Sequence, residues 1–515
     1  MKELNLFLII CIILSSTLCG FSQQKKINTS PNIILFVVDD MGWQDTSVPF
    51  DTTITKLNRT YHTPNMERLA AKGVKFTQAY ATPICSPSRV SLLTGSNAAR
   101  HKVTNWTLRK NLSQDAVDNQ LSFPVWNMNG LSQKPGVENS FYAKALPQIL
   151  KENGYYTIHA GKAHLGAIGT PGADPLNLGF DVNIAGHAAG APESYLGTEN
   201  FGVGKPDKSV WAVPGLEKYH GKDIFLTEAI TREALAAIDP MVNKKPFFLH
   251  MSHYAVHVPI MGDPRYLQKY LDAGLNRTEA SYASMLEGMD KSLGDIMDFL
   301  DRKQIMDNTI ILFISDNGGL SAHARGGTPH THNKPLASGK GSLYEGGIRV
   351  PMLVSWPGKY KPGKVVDQYV IIEDFFPSIL EITKIKNVSK PQIVDGISFK
   401  PLLEDEPYKS DNRPIVWHFP NKWGGSGPGI GPGSAIRKGE WKLIYFYKTQ
   451  HFELYNLAKD IGETENLFYQ YPKLAFSLVK SLTQFLKNTD AQLPFYKENG
   501  QKLDYPLETF KNLKF

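Results

Sequence analysis

Cysteine is nearly absent from this chain, with three in 515 residues. Cys11 and Cys19 fall in the N-terminal apolar segment, so the body of the chain keeps only Cys85. One leftover thiol cannot close an internal bridge, which excludes the disulfide framework that braces many exported domains. Long hydrophobic runs are as scarce. After Leu6–Leu14 no stretch approaches the roughly 18 apolar residues of a spanning helix, so no membrane span is expected. Charge of one sign does not dominate either, with 56 Lys+Arg against 49 Asp+Glu. The basic excess is scattered, without the stripes or interleaved aromatics of a nucleic-acid surface, and no nucleic-acid partner is expected. No internal repeat or low-complexity tract is present.

The start of the chain, MKELNLFLIICIILSSTLCGFSQQKK, has one lysine near its head, an apolar run, then small and polar residues. That order predicts a signal peptide over residues 1–22, cut near Ser22/Gln23. Cys19 offers lipid attachment as an alternative, although Ser-Thr-Leu before it is a poor lipobox. An exported chain without a disulfide framework is expected in a bacterial periplasm.

Between 31 and 404, apolar runs alternate with amphipathic stretches. PNIILFVVDD (31–40) and NTIILFISDNGG (308–319) read as buried strands ending in acids and an amide, and YYTIHAGK and KKPFFLHMSHYA as further strands. TPNMERLAAKGV, KALPQILKENG and SYASMLEGMDKSLGDIMDFLDRK read as helices. This alternation predicts an α/β sandwich with a large, mostly parallel central sheet between helices. Beyond residue 405, IVWHFP, SAIRKGEWKLIYFY, HFELYNL and a terminal helix predict a smaller α+β subdomain (405–515) with an antiparallel sheet.

In sheets of this kind ligands gather beyond the carboxyl ends of the strands. Asp39, Asp40, Asp316 and Asn317 all fall there. Each has an ordinary capping reading, but four hard oxygen donors converging on one edge suit Ca²⁺ or Mg²⁺ better than zinc. Long loops at 104–140 and 166–222, rich in Gly, Pro and Asn, are the expected carriers of recognition.

CSPSR at 85–89, running on to LLTG, resembles the signature of type I sulfatases in the alkaline phosphatase superfamily. PNIILFVVDDMGWQD, GKAHLG (161–166), GFD (179–181), AVHVP (255–259), SDNGG (315–319), GKGSLYEGGIRVPMLVSWPG (339–358) and ELYNLAKDIGETENL (453–467) follow in the family's order. The resemblance implies that Cys85 is oxidised to Cα-formylglycine by a formylglycine-generating or anaerobic sulfatase-maturating enzyme. It implies one Ca²⁺ held by Asp39, Asp40, Asp316, Asn317 and the residue at 85. It also implies catalytic roles for Arg89, Lys162, His164, His257 and Lys340. Lys162 and Lys340 would bind sulfate, His164 would take a proton from the hydrated aldehyde, and His257, jointly with Lys340, would protonate the departing alcohol. Ala163 stands where the family often has Trp or Tyr, which widens the expected pocket.

The expected substrate is a sulfated carbohydrate, of algal polysaccharide origin or, alternatively, a host glycan. His187, His253, His332 and His418 are candidates for contacting sugar hydroxyls, with ordinary loop or core roles as the competing reading. Two rival functions remain at this level: a phosphodiesterase or phosphonate hydrolase of the same fold, and a sulfated-glycan-binding protein with an unmodified Cys85.

Overall fold

Every residue of β1 (Asn32–Val38) is buried, as a strand covered on both faces requires. Ile33, Leu35 and Val37 enter one core and Ile34, Phe36 and Val38 the other, because successive side chains alternate across a strand. The computed structural model describes residues 30–204, 209–322, 324–408 and 412–513. The expected signal peptide and Cys19 lie outside the described residues. No helix among those described is long and apolar enough to cross a membrane.

After β1 come α1 (Pro64–Lys72), β2 (Val74–Tyr80), α2 (Cys85–Thr94), α3 (Leu146–Glu152), β3 (Tyr156–Gly161), β4 (Val182–Ile184) and α4 (Leu226–Ile238). β5 (Phe247–Ser252), α5 (Arg277–Arg302), β6 (Thr309–Ser315), β7 (Arg349–Ser355), β8 (Lys364–Val366), β9 (Val370–Ile371) and α6 (Phe375–Ile382) complete the larger part. The strands form one sheet in the order β8-β2-β7-β6-β1-β5-β3-β4, with β9 also on β2. β7 is antiparallel to β2 and β6; the other pairings are parallel. This is the mixed, mostly parallel sheet between helices that the alternation predicts.

Register decides where the chemistry collects. β1 pairs with β6 up to Val38↔Ser315, and with β5 up to Val37↔Ser252. Gly161, the last residue of β3, pairs with Ser252. Asp39-Asp40, Asp316-Asn317, Lys162 and the turn after β5 therefore leave the sheet at one edge.

The C-terminal part holds β10 (Ile415–Phe419), β11 (Gly433–Lys438), β12 (Trp441–Phe446), β13 (His451–Asn456) and α7 (Pro472–Asn488). Its four strands are antiparallel in chain order. α7 covers them through Leu478, Val479, Leu482 and Leu486 in a third core. It is tied to the larger part by buried polar links. Trp417 Nε1 donates to the Ala81 carbonyl at 2.9 Å. Lys442 Nζ donates to Glu345 at 3.0 Å and to Glu463 at 2.8 Å.

Candidate active site

Helix α2 begins on Cys85, with extended Ile84 before it and left-handed Gly95 closing it, and all ten of its residues are buried. Arg89 lies one turn on. Its Nε and Nη2 each approach Asp316 Oδ2 at 2.8 Å. Its Nη1 donates to the Lys162 carbonyl at 2.9 Å and to Ser252 Oγ at 2.6 Å. One side chain thus fastens the helix to the ends of β3, β5 and β6. Burial works against its charge, but Asp316 and Asp39 hold the guanidinium protonated more firmly than usual.

Gly161 turns the chain with φ +102, and a Cβ there would stand 1.9 Å from the Ser252 carbonyl oxygen, so only glycine fits. The turn brings Lys162 Nζ to 2.6 Å from Asp39 Oδ2, with both side chains fully buried. Lys340 Nζ reaches Asp40 Oδ1 at 2.7 Å. His257 Nδ1–H donates to the Val258 carbonyl at 2.9 Å, and its Nε2 lies 3.6 Å from Asp40 Oδ2. The ligand atoms of Asp39, Asp40, Cys85 and His257 all fall within 4.8 Å of one another. Asp40 (φ +58) and His164 (φ +52) are left-handed non-glycine residues, a strain of about 1–3 kcal/mol each that surrounding structure must hold. Around Asp40, Asp39 N–H donates to Ala255 at 2.9 Å and Val256 N–H to Asp39 at 2.7 Å.

Charge is tuned accordingly. Burial opposes ionisation of the Cys85 thiol, but Lys162, Lys340 and a hydrogen bond from His257 pull it down to about 6. Burial raises the Asp39 carboxyl well above the usual range; Lys162 opposes this, and the charges of Asp316 and Asp40 add to it. At Asp40 burial acts the same way, yet Lys340 and His257 prevail and hold it low. Asp40 and Cys85 in turn keep Lys340 protonated against its burial.

The donors suit a hard cation. Asp39 Oδ1 and Asn317 Oδ1 are buried with no hydrogen-bond partner, while Asn317 Nδ2 donates to Asp40 Oδ1 at 2.8 Å. Two orphaned hard oxygens beside crowded carboxylates fit a divalent ion. Asp39, Asp40 and Asn317 would hold it, with the side chain at 85 facing them. Asp316 is more engaged, since one oxygen takes the Asp40 N–H at 3.3 Å and the other takes Arg89.

His164 Nε2–H donates to the Thr107 carbonyl at 2.9 Å, and its buried Nδ1 has no partner. Burial, with Lys162 and Arg89 nearby, keeps the ring neutral. Ser86 braces it, donating to the His164 carbonyl at 3.2 Å and accepting the Thr107 N–H at 3.2 Å.

Cys85, His164, His257 and Lys340 open on a cavity of ≈ 790 Å³ whose walls include Trp106, Trp211 and Trp423. None of the four histidines considered for sugar contact lines it. His253 is a core residue, packed on Phe36 with Nε2 2.9 Å from Ser292 Oγ. His418 is buried in the C-terminal sheet, 2.8 Å from both Ser434 Oγ and the Gln492 carbonyl. His332 Nε2–H donates to the Gly326 carbonyl at 2.7 Å. His187 packs against Tyr254 at 6.2 Å. Sequence reasoning missed the three tryptophans; their signal was a large aromatic residue stranded in a Gly/Pro/Asn-rich loop.

The Sulfatase family model matches residues 31–385, and that of the N-sulphoglucosamine sulphohydrolase C-terminal region matches 339–492. The chain is 29% identical to a sulfatase of Formosa agariphila, over 98% of each chain. It is 30% identical to the N-acetylgalactosamine-6-sulfatase of Homo sapiens, over 90% of this chain and 86% of that one. Among solved structures, Ps i-CgsB superposes with a TM-score of 0.70 at 27% identity, covering 89% of this chain and 93% of that one. The chain belongs to the sulfatase family of the alkaline phosphatase superfamily and is a sulfuric ester hydrolase.

Proposed function

We propose that this protein is an exported sulfatase that frees sulfate from a sulfated carbohydrate, using Cα-formylglycine made from Cys85 and one bound Ca²⁺. The observation that carries this reading is the placing of Cys85. It is the first residue of a buried helix, at the floor of a large cavity, with two carboxylates and a histidine gathered within 4.8 Å. An inert core thiol has no use for such surroundings. Hydrated formylglycine supplies two hydroxyls, one to attack sulfur and one whose loss of a proton re-forms the aldehyde and expels sulfate. A bound Ca²⁺ supplies positive charge that favours ionisation of the attacking hydroxyl.

The remaining work falls to the chain's own side chains. Lys162 and Lys340, buried and charged, bind sulfate oxygens and stabilise charge that develops on them. His257 presents Nε2 to the cluster and, jointly with the Lys340 ammonium as proton source, protonates the departing sugar oxygen. His164, kept neutral, receives a proton at Nδ1. Arg89 holds Asp316 and the start of β3's exit loop in place.

A sugar substrate is supported by the relatives. One is an N-acetylgalactosamine-6-sulfatase, and Ps i-CgsB has been solved with k-i-k-neocarrahexaose at 27% identity and a TM-score of 0.68. Algal polysaccharide remains the favoured source. Export to the periplasm rests on the N-terminal sequence, and the aldehyde requires a maturating enzyme as partner. Peptide mapping of active protein from its own host, together with free sulfate measured from defined sulfated saccharides, tests the proposal. An aldehyde at position 85 with sulfate release is expected. A retained sulfur in fully active protein, or aryl phosphate turned over faster than aryl sulfate, overturns it.

A further inference from the structure

Two arginines rank among the largest fully buried side chains, Arg89 and Arg325. Arg89 fastens the catalytic helix to the sheet edge. Arg325 lies outside that cluster, on the segment that runs on from Asp316-Asn317 and gives Leu320, Ser321, Ala322 and Ala324 to the cavity wall. Burying a guanidinium is costly unless carboxylates and hydrogen bonds replace its water.

The replacements come from separate parts of the fold. Arg325 Nη1 donates to Asp45 Oδ1 at 3.2 Å and to Asp45 Oδ2 at 3.1 Å. Nη2 donates to Glu279 Oε1 at 2.9 Å and to the Tyr61 hydroxyl, which itself donates to the same Glu279 oxygen. The guanidinium carbon lies 3.9 Å from the ring centroid of Tyr282, a cation–π contact. Glu279 and Tyr282 belong to α5, Tyr61 precedes α1, and Asp45 follows β1. A planar fork reaches all of them at once, which a lysine ammonium cannot do.

Asp45 carries this anchorage to the carboxylate that faces Cys85. Its Oδ2 also accepts the Gly42 N–H at 2.9 Å and the Tyr282 hydroxyl at 2.7 Å, and that hydroxyl lies 3.4 Å from the Asp40 carbonyl oxygen. These contacts grip the backbone just after Asp40, whose left-handed φ of +58 persists only where neighbours hold it. At the start of the wall segment, the Gly319 carbonyl accepts the Lys340 N–H at 3.0 Å and Asn333 Nδ2 at 2.9 Å. The wall and the Asp40 turn therefore meet in one buried side chain.

Buried arginine–carboxylate networks are often scaffold and nothing more. The contacts of Arg325 instead reach the cavity at one end and a metal-facing residue at the other. We propose that Arg325 is a positioning residue that sets the cavity wall beginning at Leu320 and the Asp40 turn in place together, so that substrate fit and calcium affinity depend on the same side chain. The inference rests on the calcium-dependent sulfatase reading above.

The test compares the matured wild-type enzyme with Arg325→Lys and Glu279→Gln. Groups that orient a metal ligand are worth about 10–100-fold in metal affinity. Arg325→Lys keeps the charge and loses the fork, so it should move the calcium midpoint of thermal melting about tenfold higher, the low end of that range. At saturating calcium it should raise KM for a sulfated disaccharide that wild type turns over by about tenfold, the fold-change of ~1.4 kcal/mol. KM for 4-nitrophenyl sulfate, a smaller molecule with less to gain from the wall, should stay near its wild-type value. Glu279→Gln removes one charge from the outer end of the clamp and leaves Asp45 paired. It should shift both readings the same way by a smaller factor, and it carries the test if Arg325→Lys does not fold. A lower melting temperature with the calcium midpoint and the disaccharide KM both unchanged is what scaffold alone predicts, and it overturns the coupling. A shift in one reading without the other overturns it too. Both results leave the sulfatase reading standing. Wild-type melting indifferent to calcium, with no sulfate released from any saccharide, overturns the reading beneath it.

Discussion

His257 and Lys340 illustrate how single residues set the reaction. The imidazole Nε2 lies 3.6 Å from Asp40 Oδ2, and the ammonium 2.7 Å from Asp40 Oδ1, so an imidazole nitrogen and a lysine ammonium face one carboxylate next to Cys85. A sugar oxygen is a poor leaving group and gains from protonation as the S–O bond breaks; a nitrophenolate departs without help. General acid catalysis is worth about 10²–10⁴-fold where it is needed. His257→Ala should therefore lower kcat about 10²-fold or more on a sulfated sugar and less than about tenfold on 4-nitrophenyl sulfate. Equal losses on the two substrates would remove the acid role from this residue. His253, four residues earlier, shows what spacing alone does not decide. Its partner Ser292 sits on α5, 39 positions away, and only the packing of that helix on the sheet makes the ring a core residue.

At the scale of elements, the turn before α6 carries a charge problem of its own. Glu373 is buried, its Oε2 has no hydrogen-bond partner, and Asn97 Nδ2 donates to its Oε1 at 2.8 Å. Burial first, and then the neighbouring charge of Asp374, push its carboxyl up from 4.5 to about 8. The folded chain therefore keeps a proton that the unfolded chain releases near 4.5. This contribution is fully present below that pH and is lost as pH rises towards 8, at up to ~1.4 kcal/mol per pH unit. Glu373→Gln mimics the protonated acid, so the variant should match the parent in melting temperature near pH 5 and exceed it at pH 8.5. Parallel pH profiles for the two proteins would contradict the assignment. Elements like β1 and β6 were legible in the sequence because burial on both faces leaves continuous apolar runs, as in NIILFVV. Asp39, Asp40 and Asp316 were legible because they sit where such runs stop, and Cys85 because CSPSR resembles the sulfatase signature. The tryptophans of the cavity were not, since nothing in the loops around 106, 211 and 423 shows that they meet. The proton on Glu373 was not either, as it depends on the turn's burial and on the neighbouring charge of Asp374.

For the molecule as a whole, parallel strands ending in register concentrate acid at one edge of the sheet. Asp39, Asp40 and Asp316 are each at most 1% exposed, and burying like charges together is costly unless they are neutralised. Lys162, Lys340 and Arg89 neutralise part of that charge, while Asp39 Oδ1 and Asn317 Oδ1 remain without partners. A divalent ion bound there favours the folded state over the unfolded one by mass action, by ~2.7 kcal/mol when free ion is a hundredfold above its Kd. Spread over the unfolding entropy of a chain this long, at roughly 2.1 cal/mol/K per residue, that corresponds to a shift of about 3 °C. Chelator should therefore lower the melting temperature by about 3 °C and abolish sulfate release, and added Ca²⁺ should restore both. Asn317→Ala removes one orphaned oxygen without adding charge, so it should weaken the calcium dependence of melting and shift its midpoint to higher calcium. A melting curve indifferent to chelator and to Asn317→Ala alike would mean that the lysines and Arg89 alone balance these carboxylates.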